Sequence, residues 1–292
     1  MSLKNNCLLL LVLLSFDTLQ AEPRIQDMSA GEASTALIVA AQKSWLVHTK
    51  ELLKVSDIDV DITDQLGATP LIYASATALD SSLISTLIDA GADVNKADNS
   101  GRTPLIMACL SAIDSAPLNL KKLINAPNIN FNHKDFRGKS ALFYAAERSK
   151  KDRFLMLLNT LGVDINLANS DGNTPLMYVT QGSWLAGVHA LLAQPDIQIN
   201  TVNKKGEGVL FLAVDSLIFA ENIAEYLALI RTLVRAGSQD IQGQAMAHAQ
   251  KTNNLSEELR TQVIAALQNN SVLKQRSLRT SYRAKKVNAH PE

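Results

Sequence analysis

The most regular feature of the chain is a pattern of apolar positions that returns in a fixed phase. Apolar pairs close a helical stretch at Leu52-Leu53, Leu87-Ile88, Leu123-Ile124, Leu157-Leu158, Leu191-Leu192 and Leu233-Val234. Earlier in these stretches stand Ala74, Ala108, Ala145, Ala146 and Ala213, small enough to let neighbouring helices approach closely. Between the stretches, glycine and polar residues take over. Gly67-Ala68-Thr69-Pro70-Leu71 returns as Gly101-Arg102-Thr103-Pro104-Leu105, as Gly138-Lys139-Ser140-Ala141-Leu142 and as Gly172-Asn173-Thr174-Pro175-Leu176. A weaker copy is Gly206-Glu207-Gly208-Val209-Leu210, and Thr35-Ala36-Leu37 is an early one without the glycine. The threonine-equivalent positions are 35, 69, 103, 140, 174 and 208, spaced by 34, 34, 37, 34 and 34 residues. Each period predicts a pair of short helices and a turn. One period cannot bury its apolar side alone, so the stack is the stable object.

The polar positions say how each period is built. Asp98 can accept backbone hydrogen bonds in a turn, and Gly101 can take the positive φ that other residues resist. Thr103 is placed to cap a helix, with Pro104 at the first helical position, where its missing N–H costs nothing. The same turn opens at Asp64, Asp135, Asn169 and Asn203. Shortly before it, a β-branched residue and an asparagine recur as Val94-Asn95, Ile129-Asn130, Ile165-Asn166 and Ile199-Asn200, which predicts that the asparagine supports the turn.

Together these marks resemble the ankyrin-repeat family, whose period is about 33 residues, from about residue 30 to residue 268. The run Asp98 to Leu105, preceded by Ala90-Gly91-Ala92-Asp93-Val94-Asn95, is its most specific stretch. The chain is similar in particular to exported bacterial members of the family. The resemblance implies an all-α solenoid of about six helix-turn-helix units with β-turn fingers over 27–268, including a degenerate C-terminal cap. It also implies protein binding through finger tips and the concave row of first helices, with no enzymatic activity. Mapped onto this sequence, the docking residues are Leu66, Asn99, Arg102, Phe136, Arg137, Lys139, Arg148, Lys204 and Lys205. Arg137, Lys139 and Arg148 would form one basic cluster beside Phe136, favouring an acidic, partly apolar partner. Phe136 itself either projects as an anchor or folds back on its own finger.

The sequence departs from the family in two ways. Where the family carries a histidine that ties neighbouring turns, this chain has Ile72, Ile106, Phe143, Met177 and Phe211, which predicts reliance on apolar contact over polar ties. The unit beginning near Gly208 is long, which predicts extended helices around Ser216 to Glu225. An insertion near Ser115-Ala116-Pro117 accounts for the 37-residue spacing.

Charge and chemistry change this picture mainly at the ends. Lys plus Arg equals Asp plus Glu at 28 each, yet six of the basic residues and only Glu292 among the acidic ones fall in 271–292. That basic segment, within 269–292, is expected to be a disordered tail. Its one aromatic residue, Tyr282, offers no stacking platform, so no nucleic-acid partner is expected. At the other end, Lys4, the apolar run Cys7 to Phe16, Asp17 and the small residue Ala21 match a cleavable export signal over 1–21. The run is too short for a membrane span, which needs roughly 20 apolar residues. The mature protein is thus expected in a periplasm or secreted, as a monomer, with Cys109 as its lone thiol, buried and inert. The five histidines lie far apart in sequence, and neither zinc spacing, a phosphate-binding glycine loop nor a nucleophile elbow is present. No cofactor or metal is expected. A secreted effector acting on a host protein would use the same surface, and an enzyme with an unrecognised site is the remaining alternative.

Overall fold

The computed structural model describes residues 25–113, 116–147, 150–217, 222–240, 243–252 and 255–268. The segments read as the export signal and the basic tail therefore lie outside the described residues, as does Arg148. The chain divides into two compact units, one ending at Val163 and the other beginning at Asp164.

The first unit is built from four helix pairs. These are α1 (Ala30–Gln42) with α2 (Leu46–Leu52), α3 (Pro70–Thr77) with α4 (Ser82–Asp89), α5 (Pro104–Leu110) with α6 (Ala116–Ile124), and α7 (Ala141–Glu147) with α8 (Lys151–Leu158). The second unit holds α9 (Pro175–Gln181) with α10 (Leu185–Leu192), α11 (Val209–Leu217) with α12 (Ile223–Arg235), and α13 (Gln244–Lys251) followed by α14 (257–268). Among the described residues no strand forms, only an isolated bridge between Val202 and Gly208. The fold class is the all-α ankyrin type that the repeat predicts.

Local chemistry explains where the helices begin. Thr69, Thr103 and Thr174 each sit in extended backbone and accept a hydrogen bond from the N–H three residues on, with proline at the first helical position. The early threonine does not follow this rule. Thr35 lies inside α1, its hydroxyl donating to the Gly31 carbonyl, and Ser29 caps the helix in a reciprocal pair with Glu32. With no finger preceding it in the described chain, α1 starts more than a turn earlier than its counterparts.

Packing follows the apolar phase. In the first unit α1 packs on α3, α3 on α5 and α5 on α7; in the second α9 packs on α11 and α11 on α13. The alanines 74, 108, 145 and 213 are fully buried at these contacts, as are Leu71, Ile72, Leu105 and Phe143. In the long repeat α11 is described as far as Leu217 and α12 has 13 residues, while 218–221, on which the expected extension partly falls, lie outside the described residues.

Two expectations about the units need correction. Gly91 and Asn128, the positive-φ residues that turn each chain out of its second helix, are 37 residues apart, whereas the buried Leu87 and Leu123 are 36 apart. The insertion is thus split across α6, and the residue in phase with Asn95 is Asn132, not Asn130. Inside each compact unit, polar ties between successive repeats are also abundant. The Asn95 side chain donates to the Asn128 carbonyl at 2.8 Å and accepts from the Asn130 N–H at 2.8 Å. Asn166 does the same with Asp196 and Gln198, and Asn200 with Gly237 and Gln239. Asn132 donates to the Gly162 carbonyl. The asparagine is therefore a rung to the next repeat. One position breaks the series: Asp61, which can accept from the Asp93 N–H but has no proton to donate.

Candidate functional site

Each finger is a turn closed on one acidic or amide side chain. Asp135 Oδ1 accepts from the N–H of Arg137 at 2.9 Å and of Lys139 at 2.8 Å. Asp64, Asp98, Asn169 and Asn203 take the corresponding pairs in their own fingers. The turn backbone is satisfied in this way without the tip side chains, of which Asn99 still donates through Nδ2 to the Gln65 carbonyl of the preceding finger at 3.1 Å. Tips are then hung on one another: Asn99 N–H donates to the Leu66 carbonyl and Phe136 N–H to the Ser100 carbonyl in the first unit, and Lys204 N–H to the Asp171 carbonyl in the second. Glycine is required at 101 twice over: its φ is 78°, and a Cβ would stand 3.0 Å from both the Phe136 ring and its N atom.

The finger is also braced on its helix. Tyr144, from α7, donates its hydroxyl to Asp135 Oδ2, as Tyr73 does to Asp64, each at 2.5 Å. Burial raises the Tyr73 hydroxyl pKa to about 12, with the bonded carboxylate adding to the effect, and both causes push Tyr144 up as well. These groups stay protonated and serve as donors. The Asp–Tyr spacing of nine residues, repeated in two fingers, was the sequence signal for this brace.

Between the second and third fingers and the ends of α5 and α7 lies an open cleft of about 400 Å³ lined by Asn99, Arg102, Leu110, Phe136, Arg137 and Lys139, with Asp135, Tyr144 and Glu147. The structure thus brings five of the nine docking residues read from sequence into one place. Leu66 sits on the neighbouring finger and is 64% exposed. Lys204 and Lys205 are exposed on a finger of the second unit. Phe136 projects: its ring lies over Gly101 yet remains 78% exposed.

The basic cluster is weaker than the sequence implies. Lys139 Nζ lies 2.9 Å from Glu147 Oε2 and 5.3 Å from the centre of the Tyr144 ring, so its charge is already matched. Arg102 is clamped through two nitrogens on Asp98 Oδ2, at 2.8 and 2.7 Å. The Lys139 pairing reaches Glu147 eight positions on in α7, and the Arg102 pairing reaches back four positions to the aspartate that closes its own turn.

Among the described residues that line the cleft, none is a nucleophile paired with a base. Cys109 is fully buried in α5, and burial drives its thiol pKa up to about 12, which keeps it unreactive. Among the described residues no cluster of three or more His, Cys, Asp or Glu could hold a metal ion. No described helix is long and apolar enough to cross a membrane.

The sequence family described as ankyrin repeats in three copies matches residues 2–98, 49–115, 75–169 and 111–203. The chain belongs to the ankyrin-repeat family. The ankyrin repeat domain of Bcl-3, described as a unique member of the IkappaB protein family, is structurally similar, with a TM-score of 0.65 and 25% identity. That likeness covers 80% of this chain and 97% of the other. No curated protein matches the sequence. An ankyrin repeat is a protein-interaction scaffold, and the cleft lies between two of its fingers.

Proposed function

We propose that this ankyrin-repeat chain is an exported binding protein whose non-enzymatic task is to hold a protein partner in the cleft beside Phe136. The observation that carries the reading is the 78% exposed aromatic ring at a finger tip whose backbone is already satisfied. An exposed aromatic next to an arginine is the composition of an energetic anchor at interfaces. Arg137 beside it favours a partner that is acidic and partly apolar. The exposed Lys204 and Lys205 on a finger of the second unit are a separate candidate contact.

Export is supported by Lys4, the Cys7 to Phe16 run, Asp17 and Ala21, and it implies a periplasmic or secreted protein. A secreted effector binding a host protein is the second reading, supported by the same segment.

A photo-crosslinking amino acid in place of Phe136 tests the docking site, with the same label in place of Glu258 on α14 as the control. A discrete adduct from the first site alone supports it; equal labelling from both removes it. The N-terminal residue of the mature chain and its cell fraction test export, and an intact Met1 in the cytosol would refute it.

A further inference from the structure

The fingers form one edge of the first unit, and the turns that join the helices of each pair form the opposite edge. Side chains tie these turns together. Ser44 Oγ donates to the Thr77 carbonyl at 3.0 Å and Ser111 Oγ to the Ala76 carbonyl at 2.6 Å. The fully buried Asn119 donates through Nδ2 to the Ala78 carbonyl at 2.9 Å. Leu79 follows one partner of that bond and Leu118 precedes the other, so the bond sets the spacing of the two leucines. They are 76% and 59% exposed. Val47 stands five residues before Leu52, as Leu118 does before Leu123, and is 70% exposed. A shallow cleft of about 230 Å³ continues the edge, with Ile113 and Pro117 in its lining beside Lys150 and Lys151. Charge is gathered here as well. Over 43–50, 78–82, 111–122 and 148–152 the sequence has seven basic residues against three acidic, a net of +4 in a chain whose total is zero. The neighbouring Glu51 and Lys54 pair with each other at 2.7 Å and leave that balance unchanged. Asp80, next to Leu79, lies within electrostatic reach of both Lys50 and Lys122, so lysines of α2 and α6 converge on its turn.

We propose that this turn edge of the first unit is a peripheral docking surface for an anionic lipid bilayer. Val47, Leu79 and Leu118 insert into the headgroup layer, and the lysines around them engage lipid phosphates. The surface is separate from the finger cleft and does not depend on it. The excess of positive charge names the sign of the partner, and the shape of the apolar residues names its form. They project singly from successive turns with flexible cations between them. A fluid headgroup layer yields around each such side chain, and lysine stems lie along its apolar boundary while their ammonium groups stay with the phosphates. Each lysine near an anionic surface adds its own attraction, and that attraction reaches about one Debye length, so salt weakens it. The bracing of the turns by Ser44, Ser111 and Asn119 keeps the projecting residues in place without using them.

The test mixes the full chain with large unilamellar vesicles of phosphatidylcholine, alone or with an equal share of phosphatidylglycerol, and reads the bound fraction by co-sedimentation. Binding should require the anionic lipid and fall with added salt. Leu79→Ser combined with Leu118→Ser should weaken it about tenfold or more, and Lys121→Ala and Lys122→Ala about fivefold each. Leu66→Ser removes a leucine of similar exposure from the finger edge and should leave binding unchanged. Because the replaced side chains are exposed, all variants should unfold in urea like the native chain. The variants retain residues 1–21 and 269–292, so binding carried by either end of the chain would survive the double leucine replacement. Such survival overturns the assignment, as does an equal response to Leu66→Ser. Equal binding to vesicles of phosphatidylcholine alone, or no binding to either, also overturns it. A photo-crosslinking residue in place of Leu79 that captures a discrete protein and no lipid in cells would put a protein on this edge and overturn the bilayer as its partner.

Discussion

Asp61 occupies the place where later units carry an asparagine rung, and replacing it with asparagine should stabilise the first unit. The carboxylate accepts the Asp93 N–H through both oxygens, at 3.0 and 3.1 Å. It has nothing to offer the carbonyl of Gly91, the counterpart of the Asn128, Gly162, Asp196 and Gly237 carbonyls that the other rungs engage. Asp61→Asn keeps one acceptor and adds one donor in the geometry the later rungs already use. A net hydrogen bond of this kind contributes about 0.5–1.5 kcal/mol. Ionisation of Asp61 adds a pH dependence. Burial, the largest cause, with smaller contributions from Asp93 and Asp59, raises its pKa above the ordinary 3.8, against the lowering effects of the Asp93 N–H and Lys96. A raised carboxyl favours the protonated fold: the stabilisation is full below the unfolded pKa and is lost as pH rises through the folded one. The advantage of the asparagine variant should therefore be largest near pH 7 and shrink as pH falls toward 4. Urea unfolding of both proteins at the two pH values measures this directly, and the difference between them removes contributions shared by all other carboxylates. Asn95→Asp should show the opposite sign. A destabilised Asp61→Asn variant, or a gain independent of pH, would refute the rung as the source of the tie.

Three further outcomes follow from contacts described above or beside them. Arg153, buried at 4% exposure, donates to the carbonyls of Cys109, Ser111 and Ile113 at the end of α5, so Arg153→Met should cost about 2–5 kcal/mol in urea unfolding by leaving them unpaired. The Phe136→Ala, Arg137→Ala double variant should unfold within about 0.5 kcal/mol of the native chain, since neither side chain supports the frame; a larger loss in thermal or urea unfolding would assign Phe136 a packing role. In a Cys7→Ser chain, the Cys109 thiol should resist an aromatic disulfide reagent at pH 8 until the protein unfolds, and rapid native-state labelling would contradict its burial.

Much of this was legible because ankyrin units repeat their errors as well as their rules. Four fingers with Gly-x-Thr-Pro-Leu or its variant located the helix starts, and the buried alanines located the contacts between first helices. Thr35 keeps the phase of the repeat without the capping role, which the Ser29 and Glu32 pair takes. Asn130 misled because an insertion need not enter in one place, and spacing alone cannot divide it between the two sides of a helix. The docking residues of the first unit were found by position, but their charges were not. Whether Lys139 is available depends on Glu147 turning back from the end of α7, and whether Arg102 is available depends on the other oxygen of its own Asp98. Arg153 was invisible for a related reason: its partners are backbone carbonyls, which every sequence contains.

The closed turn at the base of each finger has an evolutionary corollary. Because one aspartate or asparagine per repeat anchors the loop, mutations at residues 65–66, 100 and 136–137 can accumulate with little penalty to the scaffold. Diversification at those letters would then alter what is recognised long before it threatens folding. A lineage, or a combinatorial library confined to those sites, could exchange one target for another while inheriting the same body.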